Sequence, residues 1–147
     1  MPLKGKKIGI YTCGPTVYDY PHIGHGRKYV YDDLLKRLLT YNGFTVTHVQ
    51  NITDVGHLIS DSDEGEDKLE KTAKEQKRTP QQIADQVTAE FFADLSALNI
   101  QQAHLYPRAT QHVPEMIELT AALVERGHAY QTPSGIYFDV RSFPEYG

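Results

Sequence analysis

Two histidines and a cysteine lie close together near the start of the sequence, and their types and spacing indicate a site for an anion. His22 and His25 are three residues apart, so they would share one face of a helix. The first turn of a helix has unpaired backbone N–H groups and the positive end of the dipole, which favour phosphate. Two imidazoles there predict a site that stabilises a phosphate whose charge grows in a transition state. Cys13, the only cysteine, adds a thiol that can ligate a metal.

A strand, a loop and a helix must hold these residues in place. The apolar run at 8–11 predicts a short buried strand, which Gly14 and Pro15 end. The helix is predicted to begin at 22–24 and to end at 42–43, where asparagine and glycine favour a C-cap. Apolar positions at spacings of three and four predict one buried stripe on this helix, formed by Val30, Tyr31, Leu34, Leu35, Leu38 and Leu39.

The rest of the sequence predicts further strands and helices in alternation. A strand is predicted at 44–49, a helix from 79–80 with threonine as N-cap and proline at the first position, and a short strand at 103–106. A third helix follows from 112–114 and a hairpin spans 129–140. The second helix is predicted to bury Ile83, Val87, Phe91, Leu95 and Leu98. This order is typical of a doubly wound α/β fold with an inserted piece, in which ligands bind outside the carboxyl ends of the strands.

The motifs, taken in order, resemble the signature of the cysteinyl-tRNA synthetases, which are class I aminoacyl-tRNA synthetases. The most specific are Tyr-Thr-Cys-Gly-Pro-Thr-Val-Tyr-Asp at 11–19 and His-Ile-Gly-His-Gly-Arg at 22–27. Asn-Ile-Thr-Asp at 51–54, Pro-Arg-Ala-Thr at 107–110 and Gly-His-Ala-Tyr at 127–130 support them. The resemblance covers essentially the whole chain and implies a Rossmann-type (HUP-like) parallel sheet with flanking helices.

The resemblance implies that the first helix binds ATP, with magnesium, as a substrate. His22, Ile23, Gly24 and His25 would hold the nucleotide, and both histidines would be catalytic. They would steady the α-phosphate while the carboxylate of L-cysteine attacks it. The product, cysteinyl-adenylate, would then transfer its cysteinyl group to tRNA(Cys).

The resemblance also implies one zinc ion, with Cys13 as a ligand and the other ligands outside this chain. That zinc would bind the thiolate of the substrate cysteine, because zinc prefers a thiolate to a serine hydroxyl. A hydrophobic pocket alone rejects an isostere only weakly. Gly14, Thr16 and Thr53 would shape the amino-acid pocket, and Asp54 would orient the substrate.

Each of these residues also has a purely structural interpretation. His22 and His25 are compatible with surface or capping histidines. An isolated cysteine such as Cys13 is usually a small buried hydrophobe. Thr53 and Asp54 are both good N-cap residues and would then only start the next helix. The family resemblance favours the functional interpretation of the histidines and the cysteine.

The resemblance is to part of a longer sequence. A second cysteine and the Lys-Met-Ser-Lys-Ser loop of the family are absent from these 147 residues. We therefore interpret the chain as a fragment, with residues 1–128 as the first half of the Rossmann-type catalytic domain, truncated before the second half. Residues 129–147 would begin the connective insertion. We expect little or no activity from the fragment alone, and self-association through the apolar strand edges that truncation exposes.

Composition limits the remaining choices. Fifteen lysines and arginines against 19 aspartates and glutamates give a net charge of −4, so a strongly basic nucleic-acid surface is absent. One cysteine and no long apolar run predict a cytoplasmic protein that does not engage a membrane. The acidic segment 61–67 predicts a loop near the site. Three alternatives stay open: a ligase that joins cysteine to an amino sugar in mycothiol synthesis, a small nucleotidyltransferase, and a non-catalytic nucleotide-binding domain.

Overall fold

The computed structural model describes residues 5–55, 73 and 77–146, and the predicted acidic loop at 61–67 lies outside them. The strands are β1 (Lys7–Thr12), β2 (Thr45–Gln50), β3 (Ala129–Thr132) and β4 (Gly135–Phe138). The helices are α1 (Ile23–Tyr41), α2 (Pro80–Ala97) and α3 (Val113–Glu125), with 3₁₀ turns at Ala109–His112 and Val140–Ser142. In the described part of the chain, no helix has the length and apolarity needed to cross a membrane.

β1 and β2 form a parallel pair connected by α1, which confirms the predicted β-α-β unit. Lys7 lies opposite Thr45, and Thr12 lies opposite Gln50 at the carboxyl edge. The predicted strand at 103–106 follows β2 only as an isolated parallel bridge between Val49 and Leu105. Pro107, which has no backbone N–H, follows directly and cannot donate to a continuous ladder.

β1 is only half-buried, so the prediction of a buried strand is wrong. Its residues alternate between exposed and intermediate, and Tyr11 is 69% exposed. In the described residues the sheet has two strands, so β1 has β2 as its one partner strand. Burial of a parallel strand requires cover on both faces and both edges.

α2 supplies half of the buried apolar residues in the described chain and begins as predicted. Thr79 caps it and accepts from the backbone N–H of Gln82 at 3.2 Å. One core cluster is formed by Val17, Ile52, Ala73, Ile83, Ala84 and Val87. A second is formed by Tyr29, Phe91 and Leu95. Four of the five predicted core positions of α2 are buried, whereas Leu98, its C-cap, is 49% exposed.

α1 buries a different face from the predicted one. Leu34 is 54% exposed and Leu38 is 59% exposed, so the predicted buried stripe is wrong. The buried residues of α1 are Tyr29, Asp33 and Lys36. Asp33 accepts from the backbone N–H of residue 101 at 3.0 Å, and Lys36 donates to the backbone carbonyl of residue 102 at 2.6 Å. Polar contacts with the segment after α2 therefore select the buried face.

The hairpin is confirmed at the end of the described chain. β3 and β4 pair antiparallel from Ala129 opposite Phe138 to Thr132 opposite Gly135. Thr132 Oγ1 accepts from the backbone N–H of Gly135 at 3.2 Å, which closes the turn. The boundary between domains at residue 128 stays a prediction.

Candidate active site

The two histidines lie at the N-terminus of α1, as the sequence predicts. His22 is the N-cap, with extended backbone at φ −105° and ψ 176°. Its Nδ1 accepts from the backbone N–H of Gly24 at 3.0 Å. In return, the backbone N–H of His22 donates to Nδ1 of His25 at 3.1 Å. The pair therefore forms a reciprocal capping box built from imidazoles instead of hydroxyl and carboxylate groups.

This capping arrangement fixes which ring nitrogens can donate to a ligand. In a neutral imidazole one nitrogen accepts and the other donates. Since Nδ1 of both rings accepts a backbone N–H, the proton of each neutral ring lies on Nε2. Both rings are exposed, and their centroids are 4.0 Å apart. The helix start thus offers two neighbouring Nε2–H donors to an anion.

Electrostatics keep His25 in the neutral form that this geometry requires. Desolvation lowers the pKa of His25 below its ordinary value, and the neighbouring charge of His22 lowers it further. A protonated ring would carry a proton on Nδ1 and would lose its hydrogen bond from the backbone of His22. The neutral, donating form is therefore the one compatible with the cap.

Gly24 is required between the histidines for a steric reason. A β-carbon there would lie 2.8 Å from Cε1 of His22, closer than carbon atoms approach each other. A larger residue would therefore push the His22 ring out of its capping position.

Hydrogen bonds connect two loop segments beside the histidines. The backbone N–H of Gly14 donates to Oδ1 of Asn51 at 2.9 Å, and Nδ2 of Asn51 donates to Oγ1 of Thr53 at 2.8 Å. A parallel bridge joins Thr16 and Thr53. The three residues predicted to form the amino-acid pocket are thus brought together. Sequence analysis gave Asn51 no role, although its place before Thr53 in the Asn-Ile-Thr-Asp motif was a signal.

One residue of the histidine pair and one residue of the threonine pair share a small cleft. Thr16 and His25 both line it, together with Pro15, Asp19, Pro21 and Tyr29. Burial raises the pKa of Tyr29 to about 12, with smaller contributions from Cys13 and Asp32, so its hydroxyl stays protonated. A separate, mainly apolar cleft of about 260 Å³ also reaches His22 and lies between α1 and α2.

Cys13 presents an exposed thiol on an anchored backbone, so the interpretation as a buried hydrophobe is wrong. Its carbonyl accepts from Nζ of Lys28 and, at 3.3 Å, from Nε2 of Gln50. Within the part of the chain that the structure describes, the thiol itself makes one long contact, 3.6 Å to the carbonyl of Gly14. In residues 5–55, 73 and 77–146 no three His, Cys, Asp or Glu side chains are grouped to hold a metal. Cys13 fits zinc as a single soft ligand.

The structure directs Asp54 away from a substrate and towards the protein. Its carboxylate accepts from the backbone N–H of Thr110 at 2.9 Å and from Oγ1 of the same residue at 2.7 Å. Nη1 of Arg108 lies 3.7 Å from Oδ2. Because Asp54 is only 5% exposed, these donors occupy the carboxylate. The carboxylate thus has partners within the protein, and the role of Asp54 in orienting the substrate stays a prediction.

Lys28 is a further residue of the site that sequence analysis missed. It follows His25 by three residues on the same helix, and that spacing was the available signal. Besides the Cys13 carbonyl, its Nζ contacts Oδ2 of Asp32 at 2.5 Å. The ammonium therefore ties α1 to the carboxyl end of β1, next to the exposed thiol.

A parallel β-α-β unit with a histidine-capped helix beside the carboxyl ends of its strands is the arrangement expected of a class I aminoacyl-tRNA synthetase. The chain belongs to this class, because the model of the family "tRNA synthetases class I (C) catalytic domain" matches residues 1–147. Several curated relatives carry the name cysteine–tRNA ligase. Those of Deinococcus radiodurans and Thermus thermophilus are 50% and 51% identical over 95% of the chain. That of Treponema denticola is 47% identical over the whole chain.

The chain spans less than a third of the length of these relatives. It covers 28% of the Deinococcus protein, 29% of the Thermus protein and 30% of the Treponema protein. The family and its α/β fold are thereby established, whereas the reaction of the whole protein requires a separate argument.

Proposed function

We propose that this chain contributes the phosphate-binding and cysteine-binding elements of a cysteine–tRNA ligase. In the first step the carboxylate of L-cysteine attacks the α-phosphorus of ATP, and pyrophosphate leaves. In the second step a hydroxyl of the terminal ribose of tRNA(Cys) attacks the carbonyl carbon of the adenylate, and AMP leaves. The names of the curated relatives support this assignment.

The observation that carries the proposal is the orientation of the histidine pair. Since Nδ1 of His22 and of His25 accepts a backbone N–H, both Nε2–H groups are free to donate to phosphate oxygens. They stand at the positive end of α1, where negative charge is stabilised. Donors that are fixed before the reaction stabilise developing charge without reorganisation. Adenylate formation requires such stabilisation, because charge develops on the α-phosphate.

The cysteine substrate is proposed to lie against Thr16 and Thr53, near Cys13. The bridge between the two threonines fixes their spacing, and the exposed thiol stands on the same loop. Cys13 would be one ligand of a zinc ion. When bound, zinc would select a thiolate over the hydroxyl of serine. The other ligands would come from outside these residues.

Cysteine-dependent exchange of pyrophosphate into ATP tests the proposal. We expect exchange from a chimera in which these residues replace the matching segment of the Thermus thermophilus ligase. The chain alone should show little, because the resemblance assigns the lysine loop and the remaining zinc ligands to other residues. His25→Asn in the chimera should lower the exchange rate by about 100-fold, the usual cost of removing one such donor.

His112→Asn is the matched control, because His112 is exposed at the start of α3 and lies outside the site. It should leave exchange unchanged. A chimera that folds but shows no exchange, beside an active Thermus parent, would contradict the proposal. A separate acceptor assay would distinguish the alternatives. Transfer of cysteine to an amino sugar, but not to tRNA(Cys), would support the mycothiol-type ligase instead.

A further inference from the structure

We propose that Asp54 is a positioning residue that holds Thr53 in the cysteine pocket by anchoring the segment at 107–110. The inference rests on the proposed function, because that function assigns Thr53 to the pocket. Asp54 itself does not contact the substrate.

The segment at 51–54 is the middle of three neighbouring segments. On one side, the backbone N–H of Thr53 donates to the carbonyl of Pro15 at 3.0 Å, and that of Val17 donates to the carbonyl of Thr53 at 3.1 Å. On the other side, the backbone N–H of Ile52 donates to the carbonyl of Pro107 at 2.8 Å. The position of Thr53 therefore depends on contacts along both edges.

Asp54 closes the second edge with its side chain. Its two carboxylate oxygens accept from the backbone N–H and the hydroxyl of Thr110. Thr110 is in the 3₁₀ turn Ala109–His112, whose own N-cap, Arg108, makes no side-chain capping bond. Asp54 supplies the capping carboxylate from a distant segment. Without the Asp54 carboxylate, both bonds to Thr110 would be lost at the point where 51–54 meets 107–110.

Arg108 offers a way to separate this contact from its surroundings. Its Nη1 lies 2.8 Å from Oδ1 of Asp85 on α2 and 3.7 Å from Oδ2 of Asp54. Asp85 is exposed, whereas the side chain of Asp54 is almost fully buried. Removing Asp85 therefore weakens the arginine network but leaves the bonds from Asp54 to Thr110 intact.

Amide hydrogen exchange of the 147-residue chain tests the proposal directly. Asp54→Ala should speed exchange of the Thr53 and Val17 amides by about ten-fold or more, the effect of losing one charged hydrogen bond. Amides in the middle of α1 should keep the wild-type rate. Thr110→Ser, which retains the hydroxyl, and Asp85→Ala should both behave as wild type. Unchanged exchange at Thr53, or equal acceleration throughout the chain, would overturn the proposal.

Pyrophosphate exchange with the chimera supplies a second readout. Asp54→Ala should raise KM for cysteine by about ten-fold and change kcat less, because the pocket is displaced while the histidine pair stays in place. An active wild-type chimera with an unaltered KM in Asp54→Ala would overturn the positioning role. An inactive wild-type chimera would count against the proposed function alone, and the amide exchange would still decide the role of Asp54.

Discussion

At the scale of single residues, His22 and His25 cap the start of α1, and the proposed function adds phosphate binding to that structural role. Nδ1 satisfies a backbone N–H of the helix start, and Nε2–H is left for a ligand. A capping group that is also a donor ties the geometry of the site to the stability of α1. Substitutions can separate these two contributions.

His22→Asp should retain stability but lose function. Aspartate is a good N-cap and its charge suits the helix dipole, so we expect the free energy of unfolding to stay within about 0.5 kcal/mol of wild type. The carboxylate cannot donate to phosphate and would repel it, so exchange by the chimera should fall at least about 100-fold. Urea unfolding and pyrophosphate exchange are the measurements. His22→Ala, which removes the cap as well, should also lose about 1 kcal/mol of stability. Full activity of His22→Asp would show that the donor is dispensable.

Gly14→Ala should destabilise the loop, because its backbone lies too close to the neighbouring segment for any side chain. A β-carbon at Gly14 would lie 1.6 Å from the carbonyl oxygen of Asn51, so the backbone must move. We expect a loss of about 2 kcal/mol or more in the free energy of unfolding. Gly9→Ala in β1 is the matched control, since a β-carbon there meets no atom within 4 Å. Equal effects of the two substitutions in urea unfolding would contradict this explanation.

At the scale of elements, local signals determined where helices begin, but not which faces they bury. The start of α2 was predicted correctly from its capping residue, and the start of α1 from its place after the loop, because both signals are local. Burial depends on what packs against the element. The leucines of α1 were predicted to be buried from their spacing, yet Asp33 and Lys36 are buried because they bind the backbone at 101–102.

In the candidate site, too, local features were predictable from sequence and distant contacts were not. The histidine pair and Gly14 were predictable, because motif and local geometry coincide. The contact between Asp54 and Thr110 joins residues 56 positions apart, and no pattern in either segment identifies its partner. Sequence therefore predicted where these residues lie on their elements better than it predicted their contacts with distant segments.

Between α1 and the sheet, His48 predicts a pH dependence of stability. This β2 histidine is 4% exposed, its Nε2 lies 2.9 Å from Oγ1 of Thr12, and its Nδ1 is buried without a partner among the described residues. The backbone N–H of His48 donates to His104. Burial lowers the pKa of His48, as do Lys36, Lys28 and His104, whereas Asp32 opposes this. The folded protein therefore keeps the ring neutral.

Stability should fall as the pH decreases below about 6.5, where the histidine of the unfolded chain takes up a proton and the folded one does not. The loss continues down to the lowered pKa of the folded state, at no more than about 1.4 kcal/mol per pH unit for each proton. His25 contributes with the same sign. The measurement is urea unfolding from about pH 7.5 to about pH 5, a range that covers the titration of histidine. His48→Gln should reduce the slope, and an unaltered slope would exclude His48 as its source.

At the scale of the whole molecule, much apolar surface faces solvent in the described residues. Leu34, Leu35 and Leu38 are exposed on α1, Tyr11 on β1, and Ile117 on α3. Leu34 and Leu38 are one turn apart on α1, and exposed apolar surface that is contiguous usually marks an interface. Self-association of the chain stays a prediction, and the exposed leucines of α1 name a surface on which it can be tested.

Leu34→Lys with Leu38→Lys should lower self-association without loss of fold. Both side chains are exposed, so the free energy of unfolding should change by about 0.5 kcal/mol or less. We expect the sedimentation coefficient of the wild-type chain to rise with concentration and that of the double variant to stay constant. Gln81→Lys, at an exposed position of α2, controls for added charge. A wild-type chain that sediments as a monomer at every concentration would contradict the prediction.

The exposed thiol of Cys13 has a practical consequence for spectroscopy. Because the chain has one cysteine and it is accessible, a maleimide dye or a nitroxide would attach at a single position without removal of other thiols. The label would stand at the start of the loop that follows β1, three residues before Thr16. Its emission or line shape would then report nucleotide binding beside the loop, whereas metal binding through Cys13 would be blocked because the label occupies its sulfur.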